Sequence, residues 1–312
     1  MRFGGLWIIF GLSAGCFAAA NSIPLSPEPA AVEPRLASAY QPYSLRLTAL
    51  VNPPSGVIGL ILKARVDGGP LLRLLVDSGA EHLVLDRKAA RKSAQASGME
   101  PDLVGAGAAS RAARLTTAGL IEVGNVAFRN CPVVVVDGQV AEGIDGVIPL
   151  ALFAGFLVRL DVPGRVLELE PYEAVRQAPD SAFVHVRAQR RLLFLQTRLE
   201  EAHDGYLLLD TGSSYNVISD SAAGALRQPR ALAQSLPLTT GAGQTDGRLL
   251  SRRISFRFGK RALALEPVVA LDLAEMSRRH GIEISGVIGY PALAGSVVTV
   301  NYRESLLGIQ PR

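Results

Sequence analysis

Two aspartates begin the same short pattern, and in this 312-residue sequence their type and spacing could do chemistry. Asp77 begins Asp-Ser-Gly and Asp210 begins Asp-Thr-Gly, each directly after an apolar stretch (74–76 and 207–209). The apolar residues predict a strand that holds each carboxylate in a low-dielectric core. The glycine that follows permits a tight turn and a close approach of backbone. If the two loops meet, the carboxylates cannot both ionise easily, so we expect them to share a proton.

A pair of carboxylates that shares one proton suits the hydrolysis of a peptide bond. The charged member can take a proton from a bridging water, and the protonated member can hydrogen-bond the scissile carbonyl. This chemistry needs no cofactor and no metal, and we expect neither. The hydroxyl groups of Ser78 and Thr211 are expected to bond across the interface between the loops and brace them.

The two patterns belong to an internal repeat that runs through most of the chain. The offset is 210 − 77 = 133 residues at the aspartates, 241 − 105 = 136 at a Gly-Ala-Gly triplet, and 286 − 146 = 140 at a Gly-Val-Ile segment. The repeated segments, in chain order, are 74–80 with 207–213, 105–107 with 241–243, 132–137 with 267–272, and 146–149 with 286–289. An offset that drifts by a few residues is what loop insertions produce, so the repeat predicts two similar lobes.

Each repeat is predicted to be mainly β, with one hairpin that delivers its aspartate. In the first copy, Val57–Val66, a turn at Asp67-Gly68-Gly69 and Leu71–Val76 lead to Asp77. In the second copy the hairpin consists of Phe194–Leu199, a turn through Asp204-Gly205, and Tyr206–Leu209. Short helices are predicted at Asp86–Ala96, with Asp86 as N-cap, and at Asp220–Leu226.

These segments resemble the active-site regions of a known family, the aspartic peptidases. Leu75–Ala80 resembles the retropepsin-type loop, and Leu209–Ser214 resembles the pepsin-type loop. Asp145–Ile148 and Ser285–Gly289 are similar to the segment that forms a ψ-shaped loop beneath each aspartate. The resemblance covers roughly residues 55 to 310, and a bacterial relative is expected because paired cysteines are missing.

The resemblance implies a mainly β, bilobal, pepsin-like fold (a duplicated retropepsin-like fold) with pseudo-two-fold symmetry and a few short helices. It implies an aspartic endopeptidase that acts on polypeptide at mildly acid pH, and we expect a monomer. The catalytic residues would be Asp77 and Asp210. Support of the active-site loops would come from Ser78, Gly79, Thr211, Gly212 and Ser213. Two hairpin flaps over the cleft would carry the substrate-binding glycines Gly105, Gly107, Gly241 and Gly243.

Three departures from the family pattern matter, and the second and third motivate another hypothesis. Ala80 lacks the hydroxyl that Ser213 is expected to offer its neighbouring aspartate, so the two carboxylates should be inequivalent. Pro149 stands where the repeat has Gly289, and no Tyr occurs between residues 103 and 119, where pepsin-like enzymes have a flap tyrosine. A non-catalytic protein that binds peptide in the same cleft is therefore the alternative function.

The N-terminal region predicts export. Arg2 precedes an apolar run, Phe3–Phe17, and Ala18-Ala19-Ala20 provides small residues for cleavage, so residues 1–20 are predicted to be a signal peptide. The run is short for a membrane span. The protein would then be periplasmic or lie at the cell surface. Alternatively, Cys16 in Ser-Ala-Gly-Cys would carry a lipid anchor.

The remaining organisation follows from composition. Residues 21–54 are rich in Pro and predict a tether, with one strand near Ser44–Leu50. The lobes are predicted at 55–172 and 191–312, joined by a polar connection at 173–190.

Several other classes of site are disfavoured. The chain has a net charge of +4, and its 32 Lys and Arg residues are interspersed with 28 Asp and Glu residues. This distribution disfavours a basic stripe that binds nucleic acid. The four histidines have no metal-ligand spacing, and each is expected at a surface or turn, although His82 lies close enough to Asp77 to tune its field. Gly105–Ala108 lacks the full spacing of a dinucleotide loop, and no serine lies in a nucleophile elbow. Cys131 precedes an apolar strand and predicts buried packing.

Overall fold

A computed structural model of the chain describes residues 6–7, 33–53, 55–93, 102–105, 110–172, 183–226, 234–240 and 243–312. These residues form three β-sheets with a few short helices, which confirms the predicted mainly β class. No helix among the described residues is long and apolar enough to cross a membrane.

The elements are numbered in chain order. The strands of the first part are β1 (Leu6–Trp7), β2 (Arg35–Leu36), β3 (Tyr43–Arg46), β4 (Thr48–Asn52), β5 (Gly56–Val66), β6 (Leu72–Asp77), β7 (Leu83–Asp86), β8 (Asp102–Gly105), β9 (Ser110–Val123), β10 (Val126–Val136), β11 (Gly146–Pro149), β12 (Phe156–Asp161) and β13 (Val166–Pro171). Those of the second part are β14 (Phe183–His185), β15 (Arg187–Gln189), β16 (Leu192–Leu199), β17 (His203–Leu209), β18 (Asn216–Ser219), β19 (Gln234–Thr240), β20 (Gly243–Leu250), β21 (Ile254–Phe258), β22 (Arg261–Leu265), β23 (Val268–Leu271), β24 (Ile284–Ile288), β25 (Ser296–Asn301) and β26 (Leu306–Pro311). The helices are α1 (Arg87–Lys92), α2 (Asp220–Ala225), α3 (Ala274–His280) and α4 (Tyr290–Leu293), with a 3-10 helix at Leu150–Phe153.

The internal repeat is a repeat of sheet topology. In the first copy β7 is parallel to β10 and antiparallel to β11, β11 is parallel to β6, and β6 is antiparallel to β5. In the second copy β18 is parallel to β23 and antiparallel to β24, β24 is parallel to β17, and β17 is antiparallel to β16. Each of these four pairings in one copy therefore has a counterpart with the same direction in the other.

Packing follows the same repeat. Each sheet covers a separate apolar cluster, and equivalent positions of the two copies are buried in the two clusters. The matching buried residues are Leu75, Val84, Val134 and Val147 in the first copy and Leu208, Val217, Val269 and Val287 in the second. A third and larger cluster contains residues of both copies, so burial of apolar surface joins them.

A six-stranded sheet links the copies, in the order β14-β26-β25-β12-β13-β3. At its centre β12 and β25 are antiparallel, and Arg159 pairs with Thr299, its own counterpart at the offset of 299 − 159 = 140. Pairs at equal distances on either side exchange counterparts in the same way. The pairing is therefore two-fold symmetric about Arg159 and Thr299, as pseudo-symmetry between the lobes requires.

The two predicted hairpins have different outcomes. The first is confirmed, because β5 and β6 pair across the turn at residues 67–71 and lead to Asp77. In the second, the turn lies at Glu200–Ala202, and Asp204-Gly205 are paired within β17, so the predicted turn position is wrong. Gly205 is needed for close packing rather than for a turn, since a Cβ there would lie 1.9 Å from Ser285 Oγ.

The two predicted helices form, with differences at their ends. Asp86 is the N-cap of α1 and accepts a hydrogen bond from the backbone N of Ala89 at 2.7 Å, as predicted. This helix ends at Lys92, and residues 94–96 of the prediction lie outside the described residues. In α2 the N-cap is Ser219. Helices α3 and α4 were not predicted, because helices of seven and four residues carry too little periodicity to read.

The segment expected to be a tether is partly built into the sheets. Two strands, β3 and β4, replace the single strand expected near Ser44–Leu50, and they pair with β13 and β5 respectively. Tyr43, Leu45 and Leu47 are buried in the large core cluster. A tether is therefore wrong for residues 43–52, because burial of these alternating apolar side chains holds them in place. Of the predicted connection 173–190, residues 183–189 contain β14 and β15; the lobe boundaries stay predictions.

Candidate active site

Asp77 and Asp210 occupy equivalent positions at the ends of two central strands. Asp77 is the last residue of β6, and Asp210 follows β17 directly. Each strand lies beside the Gly-Val-Ile strand of its own repeat, β11 or β24. Both aspartates have no solvent-exposed surface. The apolar strands thus hold both carboxylates in the low-dielectric interior, as expected.

Four hydrogen bonds join the two aspartate loops. Ser78 Oγ donates to the carbonyl O of Leu209 at 2.9 Å and accepts from the backbone N of Thr211 at 3.1 Å. Thr211 Oγ1 donates to the carbonyl O of Val76 at 2.9 Å and accepts from the backbone N of Ser78 at 3.1 Å. The four bonds form two equivalent pairs, and each hydroxyl both donates and accepts. The expected bracing across the interface is therefore present.

The glycines of the two loops bring the carboxyl groups together. The backbone N of Gly79 donates to Asp77 Oδ1 at 2.6 Å, and that of Gly212 donates to Asp210 Oδ1 at 3.0 Å. A Cβ at Gly79 would lie 2.6 Å from Asp210 Cγ, and one at Gly212 would lie 2.6 Å from Asp77 Cγ. Each carboxyl group therefore rests against the glycine of the other loop, where no side chain fits. The two acids share one site.

The shared site raises the pKa values of both acids. Burial raises the pKa of Asp77 to about 6, although hydrogen bonds with the Asp210 side chain and with the backbone of Gly79 and Gly212 oppose the rise. Burial and the neighbouring charge of Asp77 raise the pKa of Asp210 well above its usual value. The Oδ2 atoms of both aspartates are buried and have no hydrogen-bond partner outside the pair among the described residues. These atoms are available to hold a proton and a reactant.

The predicted cause of the inequivalence is wrong. Ser213 Oγ donates to the carbonyl O of Tyr215 at 2.7 Å, and it makes no hydrogen bond to Asp210. Ser213 supports the loop through its backbone instead: its N donates to the carbonyl O of Asp210 at 3.3 Å, and its carbonyl accepts from the N of Tyr290 at 2.8 Å. Burial and the charge of Asp77 raise the pKa of Asp210, and the backbone N–H groups of Ser213 and Gly212 oppose the rise, so the Ser213 hydroxyl is not the cause of an inequivalence.

The difference between Pro149 and Gly289 is matched by a difference in the neighbouring strand. The backbone N of Gly289 donates to Asn216 Oδ1 at 3.0 Å, and both are buried. In the first copy the residue equivalent to Asn216 is Leu83, at the offset of 216 − 83 = 133. Pro149 has no N–H, so it needs no acceptor at that position. The exchange is compensated, and Pro149 still pairs with Asp77 in register with the rest of β11.

Two of the four predicted flap glycines, Gly105 and Gly243, lie at the ends of paired strands. Gly105 ends β8, which pairs with β9, and Gly243 begins β20, which pairs with β19. Gly107 and Gly241 lie outside the described residues. The role of these glycines in flaps that reach over the aspartates stays a prediction. At the edge of the second hairpin, β1 lies parallel to β19.

The remaining residues singled out from the sequence take no part in the pair. His82 is partly buried, and burial together with the charge of Arg191 lowers its pKa to about 4, so it is neutral above that pH. His280 is buried against Phe194, at 5.0 Å between ring centroids, which corrects its expected surface position. Cys131 is buried, as predicted. The described residues contain no group of three or more His, Cys, Asp and Glu suited to a metal ion.

Sequence reasoning missed Asn216 and Leu83, which adjust the backbone beneath the aspartates. Their collinear positions in the repeat were readable, but nothing in either residue type indicates a hydrogen bond to a residue about 70 positions away. Only the comparison of the two copies in space connects the Leu83-to-Asn216 difference with the Pro149-to-Gly289 difference.

Comparisons with known proteins agree with this geometry. The family model described as aspartyl protease matches residues 62–148, which contain Asp77. The crystal structure of aspartic proteinase from Irpex lacteus superimposes with a TM-score of 0.53 at 12% sequence identity, over 86% of this chain and 97% of that chain. At this identity the superposition establishes the pepsin-like fold and no more. No curated protein matches the chain.

Proposed function

We propose that this member of the aspartyl protease family is an endopeptidase that hydrolyses polypeptides with a water molecule activated between Asp77 and Asp210. The observation that carries the proposal is the contact of each buried carboxyl group with the glycine of the opposite loop, which places both acids in one site. Two intact, braced loops also favour a catalytic protein over one that only binds peptide in the same cleft.

Burial raises the pKa of both acids, so the pair retains one proton in the pH range of the reaction. In the proposed mechanism Asp77 is the carboxylate that accepts a proton from water, and Asp210 carries the retained proton and donates a hydrogen bond to the scissile carbonyl. As the water oxygen bonds to the carbonyl carbon, the proton of Asp210 moves to the carbonyl oxygen, which gives a neutral tetrahedral diol. Asp77 then returns its proton to the amide nitrogen, the C–N bond breaks, and a diol proton restores Asp210. Atoms and charge balance without an added group.

The surrounding residues keep the two acids in place for this reaction. The backbone N–H groups of Gly79 and Gly212 orient one oxygen of each carboxyl group, which leaves the Oδ2 atoms for the reactants. The hydrogen bonds of Ser78 and Thr211 fix one loop relative to the other. Positioning of this kind matters because small displacements of reacting groups cost large factors in rate.

The direct test is hydrolysis of an unfolded polypeptide by purified protein and by Asp77→Asn and Asp210→Asn. Each substitution should lower kcat by at least about 100-fold, since each removes one proton-transfer group. Asp204→Asn, at an exposed position in β17, is the matched control and should keep full activity. Undiminished cleavage by Asp77→Asn would contradict the proposal. Competition by a statine transition-state mimic separates an enzyme from a peptide-binding protein, which should not bind the mimic.

The pH dependence of the reaction follows from the raised pKa values of the two acids. Below pH about 6 Asp77 becomes protonated and the base is lost, so kcat/KM should fall as the pH drops through that value. The high pKa of Asp210 keeps its proton in place to well above the usual range for an aspartate, so activity should extend to neutral pH. A full pH profile of kcat/KM checks this. A maximum near pH 3–4, the usual pKa range of an aspartate, would contradict the assigned roles.

We also propose that the enzyme works after export, at the periplasm or cell surface. The support is the order of residues 1–20, in which a basic residue, an apolar run and small residues follow one another. N-terminal sequencing and mass measurement of the protein recovered from the cell envelope test this. Cleavage after residues 18–20 supports a signal peptide, a lipidated Cys16 supports an anchored form, and an intact N-terminus recovered from the cytoplasm contradicts export.

A further inference from the structure

A second concave site lies on the first copy, formed by α1 and the loop 137–145 that joins β10 to β11. It is an open cavity of about 930 Å³, and none of its lining residues belongs to either aspartate loop. Five of its side chains are basic and two are acidic, for a net of three positive charges. The basic residues are Arg73, Arg87, Lys88, Arg91 and Lys92, and the acidic residues are Asp86 and Asp145.

Both acidic residues and two of the basic residues are already used by the protein. Asp86 caps α1, and Asp145 accepts a hydrogen bond from the backbone N of Arg73 at 2.8 Å. The Arg73 side chain donates to the carbonyl O of Gly143 at 2.7 Å, and Arg87 pairs with Asp137 at 2.5 Å. These contacts hold the rim of the cavity in place and do not involve its other three cations, Lys88, Arg91 and Lys92.

Three cations of α1 have no ion-pair partner among the described residues. Lys88, Arg91 and Lys92 are exposed, and they occupy successive outward positions of one short helix. Like charges at this spacing repel one another, so the arrangement destabilises the isolated helix. The helix dipole favours Arg91 and Lys92 in the last turn but not Lys88 in the first turn, so it accounts for only part of the basic cluster.

The second copy provides an internal control for the fold. Helix α2 follows β18 as α1 follows β7, and both helices bury two alanines, Ala89-Ala90 in α1 and Ala222-Ala223 in α2. The outward positions of α2 are Asp, Ser, Gly and Ala, where α1 has Arg, Lys, Arg and Lys. The packed face is therefore kept while the charge is not, so the fold does not require a basic helix here.

We propose that this basic cavity binds a phosphate-bearing anion that carries several negative charges. Three uncommitted cations on one helix match a ligand whose charges are concentrated in one group, and the guanidinium of Arg91 can bind phosphate oxygens in a bidentate manner. Carboxylates of an acidic peptide carry single charges spread along a chain, which suits a long basic stripe better than one compact group of cations. A free phosphorylated molecule and a phospholipid headgroup both present this chemistry.

Binding of tripolyphosphate to the full-length protein, followed by calorimetry, tests the site. We expect saturable binding that weakens as salt rises, and a loss of at least 10-fold in affinity in Lys88→Gln/Arg91→Gln/Lys92→Gln. The matched control is Lys63→Gln/Arg187→Gln/Lys260→Gln, which removes the same charges from exposed positions elsewhere and should bind normally. Vesicles of phosphatidic acid, whose headgroup is a phosphomonoester, and of phosphatidylcholine distinguish the two sources. Binding to the former that tripolyphosphate displaces indicates a headgroup, and binding of tripolyphosphate alone indicates a free ligand.

Three outcomes would overturn the proposal. They are no binding of either probe, equal weakening in both triple variants, and tighter binding of hexaglutamate than of tripolyphosphate. Hydrolysis of polypeptide by the α1 variant should remain at the level of the unchanged protein. This readout separates failure of the anion site from failure of the proposed protease function.

Discussion

At the scale of single residues, the two aspartates are buried at a cost to the folded state. Burial of a carboxyl group disfavours its charged form, and here the raised pKa values of Asp77 and Asp210 express that cost. The stability associated with a raised pKa is present at low pH and is lost as the pH rises through the folded-state value. The pair therefore makes the protein less stable at neutral pH than it would be with neutral side chains.

Asp77→Asn should stabilise the protein at pH 8 while it abolishes activity. Asparagine is neutral at every pH, so the variant avoids the burial of charge and should gain up to about 3 kcal/mol in the free energy of unfolding. The gain should shrink as the pH falls below about 6, where Asp77 itself becomes neutral. Urea unfolding at pH 5 and pH 8 measures both values. A gain that is the same at both pH values would mean that charge burial is not its cause.

The compensated exchange beneath the aspartates gives a second prediction at this scale. Asn216→Leu should cost about 2–4 kcal/mol of unfolding free energy, because it leaves the N–H of Gly289 and two carbonyl groups without their partner. Adding Gly289→Pro should not rescue the protein, since a Cβ at Gly289 would lie 2.0 Å from the carbonyl O of Tyr215. Chemical denaturation of the single and double variants checks this. Recovery in the double variant would show that the two copies are interchangeable here.

At the scale of elements, the two aspartate loops connect the two copies through hydrogen bonds. Their hydroxyl groups reach the backbone of the strand that ends at the other loop, so the position of β6 depends on β17 and the reverse. The β12–β25 pairing repeats this arrangement in the linking sheet, where the copies meet about the same pseudo-two-fold.

Thr211→Val should show how much the hydroxyl of Thr211 contributes, independently of the volume of its side chain. Valine fills a similar volume, but it leaves the N–H of Ser78 and the carbonyl O of Val76 unpaired in the interior, at a cost of about 2–4 kcal/mol. Because the loops then lose part of their mutual positioning, kcat should fall as well. Thr211→Ser keeps the hydroxyl and is the control. Unfolding and kcat/KM measured together test the prediction, and equal behaviour of the Val and Ser variants would contradict it.

At the scale of the whole molecule, three kinds of contact between the two copies lie outside the segment between Tyr172 and Phe183. The linking sheet, the four loop hydrogen bonds and the shared apolar cluster all lie in other described residues. Burial of apolar surface in the shared cluster should dominate the association.

Protein cut once between residues 172 and 183 should therefore stay associated and active. A protease site inserted there allows the cut, gel filtration reports whether the fragments remain together, and polypeptide hydrolysis reports the site. A second site inserted between residues 200 and 202, in the turn of β16 and β17, is the control and should impair activity, because this hairpin delivers Asp210. Dissociation after the first cut would show that the connection itself holds the copies together.

Much of the site was readable from the sequence, because local chemistry specifies it. An apolar strand, an acid, a hydroxyl residue and a glycine predict a buried carboxylate on a tight turn wherever they occur, and their repetition at 77 and 210 predicted two such turns. The hairpin of the first copy and the cap of α1 by Asp86 followed for the same reason, since each depends on residues close in sequence. The turn of the second hairpin was misplaced, because Gly205 is explained by Ser285, a residue of another strand.

The sequence by itself thus determined the two acids, their repeated setting and the mainly β class. Only the tertiary structure decided that the acids share one site in which both pKa values are raised, and that Leu83 compensates for Pro149. It also decided that residues 43–52 belong to the sheets and that five basic side chains line one cavity. The physical reason is the range of the interactions. Burial and charge act through space between residues as far apart as 77 and 210, and such distances are set only when the whole chain has folded.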